Sequence, residues 1–157
     1  MKLTRAMAIG AMAAVMAATG VVSGVSAADD PAKVIGYRQA VMKGLADHIT
    51  AIAMVAKGEV SYAGHVAGHA QSMASLAKLI PEIFPAGSEA GAPSEAKPEI
   101  WKDWDKFAAA AKTLEDQSAK LAEVAAGGDV GAIGAQLGEV GKACGGCHEP
   151  FRVKKAQ

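Results

Sequence analysis

The spacing of apolar residues constrains the fold of this chain more than any other feature. In four stretches, apolar residues recur at steps of three and four, which places them on one face of an α-helix. Glycine and proline residues, which continue a helix poorly, separate these stretches. The stretches cover residues 31–57, 62–80, 98–125 and 130–151. None of them alternates polar and apolar residues with a period of two, so β-strands are not expected.

The boundaries of the stretches carry residues typical of helix ends. Asp30 can cap the first helix, and Gly58 ends it. Residues 127–129, Gly-Gly-Asp, end the third helix and cap the fourth. Residues 81–98 contain four of the six prolines and indicate a long connection without regular structure. The sequence therefore predicts an all-α fold, an antiparallel up-down-up-down four-helix bundle.

We expect the repeating residues to form the core, with Met54 and Met73 as flexible core fillers. His48 is expected to be a core histidine. His65 and His69, one turn apart, offer two ligands for a surface metal without a third. The predicted core positions, in helix order, are Val34, Arg38, Val41, Leu45, His48, Ile52 and Val55; Tyr62, Val66, His69, Met73, Leu76 and Ile80; Ile100, Trp104, Phe107, Ala111, Leu114, Ser118, Leu121 and Ala125; Ile133, Leu137, Val140, Cys144, Cys147 and Phe151.

The N-terminal segment has the layout of a secretory signal peptide. Lys2 and Arg5 precede an uncharged run over residues 6–22, and small residues precede a cleavage point after Ala27. The run is shorter than the ~20 residues that span a bilayer, which favours cleavage over retention as an anchor. We therefore expect a cleaved signal peptide, residues 1–27, and one exported domain, residues 28–157.

The composition argues against one class of partner and indicates what kind of core the chain forms. Basic and acidic residues number 16 each, and cleavage would leave a small acidic excess, so a nucleic-acid partner is not expected. Aromatic residues make up 4% of the chain, while alanine, the strongest helix former, is abundant. A core of small aliphatic side chains would gain from burying a large apolar prosthetic group.

The only two cysteines, Cys144 and Cys147, lie three residues apart on the predicted fourth helix, and His148 follows directly. A disulfide at this spacing would strain the helix. A zinc site would need a second pair of ligands, and a thioredoxin-like dithiol would follow a strand. The remaining interpretation is C-x-x-C-H attachment of one covalent haem c, in which the thiols bond the porphyrin and the imidazole binds iron. A haem-free thiol–disulfide protein is the distant alternative.

A haem motif after three helices resembles the class II cytochromes c, the cytochrome c prime family with its low-spin, methionine-ligated members. The stretches that carry the resemblance are VIGYRQAVMK at 34–43, KPEIW at 97–101 and KACGGCHEPFR at 142–152. The resemblance implies that Cys144 and Cys147 form the thioethers and that His148 is the proximal iron ligand.

The same resemblance assigns roles to four further residues. It implies that Arg38 and Gln39 lie beside the haem and its propionates, that Glu95 contacts the haem edge, and that Arg152 lies near the proximal imidazole. Arg38 also has a physical argument, because a buried arginine on the core face needs an anionic partner such as a propionate. The alternative is that Arg38 extends its charged group into water. Pro150 removes a helix hydrogen bond and is expected to kink the last turn.

Met42 matches the position that faces the haem on the distal side in this family. If its thioether binds iron, the resemblance implies a low-spin electron carrier. If Met42 only fills space, iron keeps an open site for nitric oxide or carbon monoxide. Residue type alone fixes no iron–sulfur distance, so the sequence leaves both alternatives open.

The expected function is one-electron transfer by a periplasmic c-type cytochrome, with redox proteins of the periplasm as partners. The alternative is a five-coordinate protein that scavenges or senses nitric oxide. No acid–base set suggests a substrate pocket, so the chain is not expected to be an enzyme. The family also implies a homodimer formed through the first two helices, where Ala46, Ala53 and Ala56 permit close approach. Stable insertion into a membrane is not expected.

Overall fold

A computed structural model describes residues 29–154 of the chain. The predicted signal peptide, residues 1–27, lies outside the described residues. The described part contains helices, turns and one isolated β-bridge but no strand, which confirms the all-α prediction. Its helices are α1 (Pro31–Ala56), α2 (Val66–Lys78), α3 (Glu99–Lys102), α4 (Trp104–Ala125) and α5 (Val130–Phe151), with 3₁₀ turns at Ala63–His65 and Ile80–Ile83.

The four long helices pack as a bundle, as predicted. Helix α1 lies against α2 and α5, and α4 lies against the same two helices from the other side. The short α3 leads into α4 at the end of the crossover segment, residues 79–98, which connects α2 to the second half of the bundle. Among the connections between helices in residues 29–154, it is the longest.

The predicted helix ends are confirmed where side chains cap them. The Asp30 side chain accepts a hydrogen bond from the Ala32 N–H at 2.9 Å. Asp129 accepts from the first backbone N–H groups of α5 at 2.8 and 3.2 Å. Each cap contributes about 1 kcal/mol. Gly58 and Gly128 adopt φ of 72° and 71° after α1 and α4, a conformation that glycine adopts with little steric cost.

The second and third predicted helices differ from the expectation at their starts. Residues 63–65 form a tighter 3₁₀ turn, so Tyr62 falls out of register with α2 and is 58% exposed rather than in the core. The third helix is interrupted at Asp103, whose ψ of 46° is not helical. Trp104 therefore begins a new helix and is 37% exposed. The turn Ile80–Ile83 also extends regular structure past Pro81, into the predicted irregular connection.

Most predicted core positions are buried, and the exceptions follow the helix geometry. Met73 is fully buried as predicted, but Met54 is 39% exposed because it lies beside the buried Val55 on the outer side of α1. Ile35 takes the fully buried position predicted for its neighbour Val34. The other predicted core positions that are only partly buried are His48, His69, Leu76, Leu137, Cys144 and Cys147.

None of the helices within residues 29–154 combines the length and apolar character that a membrane span requires.

Candidate cofactor site

A cavity of about 720 Å³ lies between the helices of the bundle. This volume falls within the range of about 300–1,000 Å³ that ligand and cofactor pockets occupy. Apolar side chains from α1, α2 and α4 line most of it, and the crossover segment supplies polar groups from Ser94 and Glu95. The cavity is therefore shaped for a large apolar group with a polar edge.

Helix α5 brings the cysteine–histidine motif into this cavity. The helix is continuous from Val130 to Phe151, so the side chains of Cys144, Cys147 and His148 project from neighbouring positions of one face. All three line the cavity, and the two sulfurs are not joined in a disulfide. Pro150 lies inside the last turn, and α5 ends one residue later.

Burial keeps the two thiols protonated at neutral pH. Desolvation raises the pKa of Cys144, and desolvation together with the neighbouring Cys144 raises the pKa of Cys147 to about 11. A thiol–disulfide enzyme needs the opposite, a thiol whose pKa is lowered so that the thiolate forms. The environment of the cysteines therefore disfavours the haem-free dithiol alternative.

The imidazole of His148 is held in its neutral form. Desolvation lowers its pKa, the positive charge of Arg152 lowers it further, and the negative charge of Glu95 opposes both effects. A neutral imidazole carries the lone pair that an iron ligand needs. Arg152 and Glu95 both line the cavity.

Backbone hydrogen bonds fix the crossover segment against the end of α5. The Val153 N–H donates to the Glu95 carbonyl at 2.8 Å, and the Lys97 N–H donates to the Phe151 carbonyl at 3.0 Å. Between them, Ala96 and Arg152 form the isolated β-bridge. These contacts bring Glu95 to His148, a juxtaposition between residues more than fifty positions apart in the chain.

Arg38 is buried in α1, with only 3% of its surface exposed, so it does not extend into water. Its Nε donates to the Ile83 carbonyl at 3.0 Å, and its Nη2 donates to the carbonyl and hydroxyl oxygens of Ser88. Its guanidinium carbon lies 4.0 Å from the centre of the Phe84 ring. Desolvation lowers the pKa of Arg38, and the charge of Glu89 partly offsets this effect.

One nitrogen of Arg38 has no partner among the described residues. Nη1 is buried and makes no hydrogen bond, while the residue itself lines the cavity. A buried N–H group without an acceptor costs roughly 1–3 kcal/mol. An anionic group in the cavity would satisfy it, as the resemblance implied for a propionate.

The other two α1 residues assigned from sequence also line the cavity. The Gln39 side-chain nitrogen donates to the Pro93 carbonyl at 2.9 Å, so this exposed residue ties α1 to the crossover segment. Met42 lies one turn beyond Arg38, is partly buried, and faces the same cavity as Leu45 and Ile49.

Sequence reasoning missed several residues that shape the site. Ser88 holds Arg38, and Phe84 and Trp101 form an aromatic wall that the Trp101 indole N–H ties to the Phe84 and Pro85 carbonyls. Most of these residues belong to the crossover segment, where no periodic pattern marks which side chains turn inward.

Comparisons with known proteins place the site in a family. The model of the family described as Cytochrome C' matches residues 33–152. The chain belongs to the cytochrome c' family. The cytochrome c' of Rhodospirillum rubrum is 36% identical over 149 residues, covering 95% of this chain and 98% of that protein. The cofactor of the family is covalent haem c with its iron.

Two solved members of the cytochrome c' family share the fold. A nitric oxide complex of a cytochrome c prime mutant from Alcaligenes xylosoxidans is 31% identical, with a TM-score of 0.72 over 80% of this chain and 98% of that one. A cytochrome c' described as having an unusual ligand-controlled dimer dissociation is 28% identical, with a TM-score of 0.75 over 82% of this chain and 100% of that one.

The residues of this cytochrome c' chain fit the family cofactor. The cavity has the size of a cofactor pocket and is mostly apolar, and both thiols and the neutral imidazole reach it from one helix. The Nη1 atom of Arg38 is buried and has no acceptor, so an anionic group of the cofactor could accept its hydrogen bond.

Proposed function

We propose that this protein is a periplasmic electron-transfer cytochrome, and not an enzyme, that carries its haem c on α5. When bound, haem c supplies an iron that accepts and releases single electrons. Cys144 and Cys147 hold the macrocycle through thioethers, His148 is the proximal ligand, and redox proteins of the periplasm are the partners. The observation that carries this proposal is the convergence of the two thiols and the His148 imidazole on one mostly apolar cavity.

The rim residues bind and orient the propionate edge. Arg38 offers its unpaired Nη1 as a donor, and Gln39 holds the crossover segment beside it. Glu95 and Arg152 act on His148 with opposite charges. The apolar wall of α1 and α4 excludes water, which strengthens each of these electrostatic effects.

Met42 is the proposed distal ligand. It is the methionine of α1 whose side chain lines the cavity together with His148. If its thioether bound the haem iron in addition to the His148 imidazole, it would favour ferrous iron and raise the reduction potential, which suits an electron carrier.

The second candidate function is binding of nitric oxide or carbon monoxide at a five-coordinate iron. Leu45 and Ile49 are the apolar neighbours of Met42 in the cavity wall. They leave room for a small neutral gas if the Met42 thioether does not bind iron. The nitric oxide complex of the Alcaligenes xylosoxidans relative supports this candidate for the family.

A visible spectrum of the reduced, periplasmically matured protein tests both functions. Sharp low-spin bands that carbon monoxide leaves unchanged are expected for electron transfer with Met42 bound. The Met42→Ala variant should then become high-spin and respond to carbon monoxide. A wild-type spectrum that is already high-spin and shifts with the gas would replace the first candidate by the second. A negative pyridine haemochrome test would overturn both.

Export and assembly complete the proposal. We propose that residues 1–27 are removed during export, which predicts that the mature protein begins at Ala28 in the periplasmic fraction. We also propose a homodimer through α1 and α2, supported by a relative that is described as a dissociating dimer. Sedimentation with and without carbon monoxide measures the oligomeric state.

A further inference from the structure

Three of the four histidines come together outside the cofactor cavity, where α1 meets α2. His48 lies in α1 and His69 in α2, both partly buried, with their Nδ1 atoms 2.9 Å apart. His65 lies one turn before His69 and is exposed, and its ring stacks on Tyr62 at 5.1 Å between centroids. His69 therefore contacts a histidine of another helix, and not His65, its neighbour one turn away that the sequence offered as a second ligand for a surface metal.

The two rings present their nitrogens to each other. Their centroids are 5.2 Å apart while the Nδ1 atoms are 2.9 Å apart, so both nitrogens lie between the rings. This is the distance of an N–H···N hydrogen bond, in which one ring donates and the other accepts. The contact therefore requires that one of the two Nδ1 atoms carry no hydrogen.

A proton fits this contact better than a metal ion does. Zinc held tetrahedrally by two imidazoles at about 2.0–2.1 Å would keep their nitrogens about 3.3 Å apart, farther than the 2.9 Å between these Nδ1 atoms. Across residues 29–154, no group of three histidine, cysteine or acidic side chains is arranged to hold a metal.

The surroundings of the pair oppose a second proton. Desolvation lowers the pKa of His69, and the neighbouring His48 and His65 lower it further. Those two histidines, from α1 and from the turn before α2, are the charged groups within residues 29–154 that shift it; none from α4 or α5 contributes. The acid next to His48, Asp47, is exposed and paired with Lys43 at 2.6 Å.

Both histidines lie close in sequence to residues that line the cavity. His48 lies between Leu45 and Ile49 along α1, and His69 lies one turn before Met73 on α2. Leu45, Ile49 and Met73 all line the cavity. A change in how α1 meets α2 therefore reaches the wall of the site.

We propose that His48 and His69 form a proton-sharing clamp, which holds α1 to α2 near neutral pH and opens when acid protonates both rings. Double protonation would place two N–H donors against each other and abolish the hydrogen bond. The contact between α1 and α2 would then loosen, and with it the cavity wall that these helices supply.

The expected pH dependence has a definite sign. An unfolded histidine binds its proton with a pKa of about 6.5, whereas folded His69 resists protonation. The unfolded state therefore binds more protons below about pH 6.5, and stability falls as the pH falls through that region. Each whole proton taken up on unfolding raises the unfolding equilibrium constant about tenfold per pH unit.

Denaturant unfolding of the haem-loaded protein between pH 8 and pH 5 tests the clamp. We compare the wild type with His69→Gln, which cannot titrate, and with His65→Gln as the matched control on the same segment. Below pH 6.5 the unfolding constant of the wild type should rise up to about tenfold more per pH unit than that of His69→Gln. The rise for His65→Gln should be somewhat smaller than for the wild type, because His65 also lowers the pKa of His69. Parallel curves for the wild type and His69→Gln would overturn the proposal.

Hydrogen exchange locates the opening and covers the case in which His69→Gln does not fold. Between pH 7 and pH 5, after correction for intrinsic rates, amides of α1 and α2 should lose more protection than those of α4 and α5 in the wild type. Equal losses in all four helices would contradict the clamp. So would an NMR titration of wild-type His69 with its midpoint at or above pH 6.5.

Discussion

On the α5 side of the cavity, Cys144, Cys147 and His148 come from five consecutive residues of one helix. On the α1 side, Arg38 and Met42 lie among groups that the crossover segment contributes, and Arg38 is held by Ile83 and Ser88. The spacing of a regular helix positions the first set by itself. Tertiary packing positions the second set, because its partners lie 45 and 50 residues away in the chain.

Because their residues are positioned differently, the two sides of the cavity have different roles. The α5 side holds the chemically reactive groups and needs only an intact helix turn to present them together. The α1 side supplies the buried charge of Arg38, whose position depends on the folded crossover segment, and it supplies Met42, the distal ligand that we propose. Attachment of the cofactor should therefore survive changes to α1, while tuning of the site should not.

The largest expected effect is on the α5 side. Replacing both cysteines, Cys144→Ser with Cys147→Ser, removes the sulfurs that we propose form the thioethers, so the covalent haem should be lost completely. Mass spectrometry of the denatured protein measures it. The Met42→Ala variant is the control from the α1 side and should keep the full covalent mass. Loss of haem from Met42→Ala as well would show that the two sides cannot be separated.

A change on the α1 side should act on stability instead. Arg38→Leu leaves the buried Ile83 and Ser88 acceptors without their donor, and should lower the free energy of unfolding by about 2–4 kcal/mol. Gln39→Leu, next in sequence but exposed and making one hydrogen bond, should cost less than about 1 kcal/mol. Urea unfolding of the haem-loaded proteins measures both. Equal losses for the two variants would mean that burial of Arg38 contributes no stability.

The same contrast explains how far the sequence could be interpreted. The bundle, the caps at Asp30 and Asp129 and the position of the motif on α5 follow from local periodicity and spacing, and the structure has them all. Tyr62 and Trp104 were predicted in the core and are exposed, because each lies where a helix starts one turn late or anew. The spacing of apolar residues does not show where an irregular turn interrupts the start of a helix.

The contacts of the crossover segment could not be predicted from local sequence patterns. The contact of Arg38 with Ser88 and the electrostatic effect of Glu95 on His148 relate distant parts of the chain through a proline-rich connection. Such a connection has no periodicity from which inward-facing side chains could be selected. The His48–His69 contact has the same origin, since the packing of α1 on α2 and not the sequence spacing brings the rings together.

The smallest expected effect concerns the two charged side chains on the rim, where the two sides meet. Arg152 lowers the pKa of His148 and Glu95 raises it, so the two charges act on the proximal imidazole with opposite signs. Arg152→Gln removes a cation near His148. Ferric iron carries one more positive charge than ferrous iron, so the ferric state should become more favourable and the reduction potential should fall. Removing the anion with Glu95→Gln should raise it.

For partly hydrated charges near the rim we expect shifts of about 20–50 mV in each direction. Spectroelectrochemistry at low and high ionic strength measures them, and salt should shrink both because exposed charges are screened. The double variant should return close to the wild-type potential if the two charges act independently on His148. Shifts of the same sign would instead mean that the variants move the crossover segment, since Arg152 forms the β-bridge with Ala96 and Glu95 is the residue before Ala96.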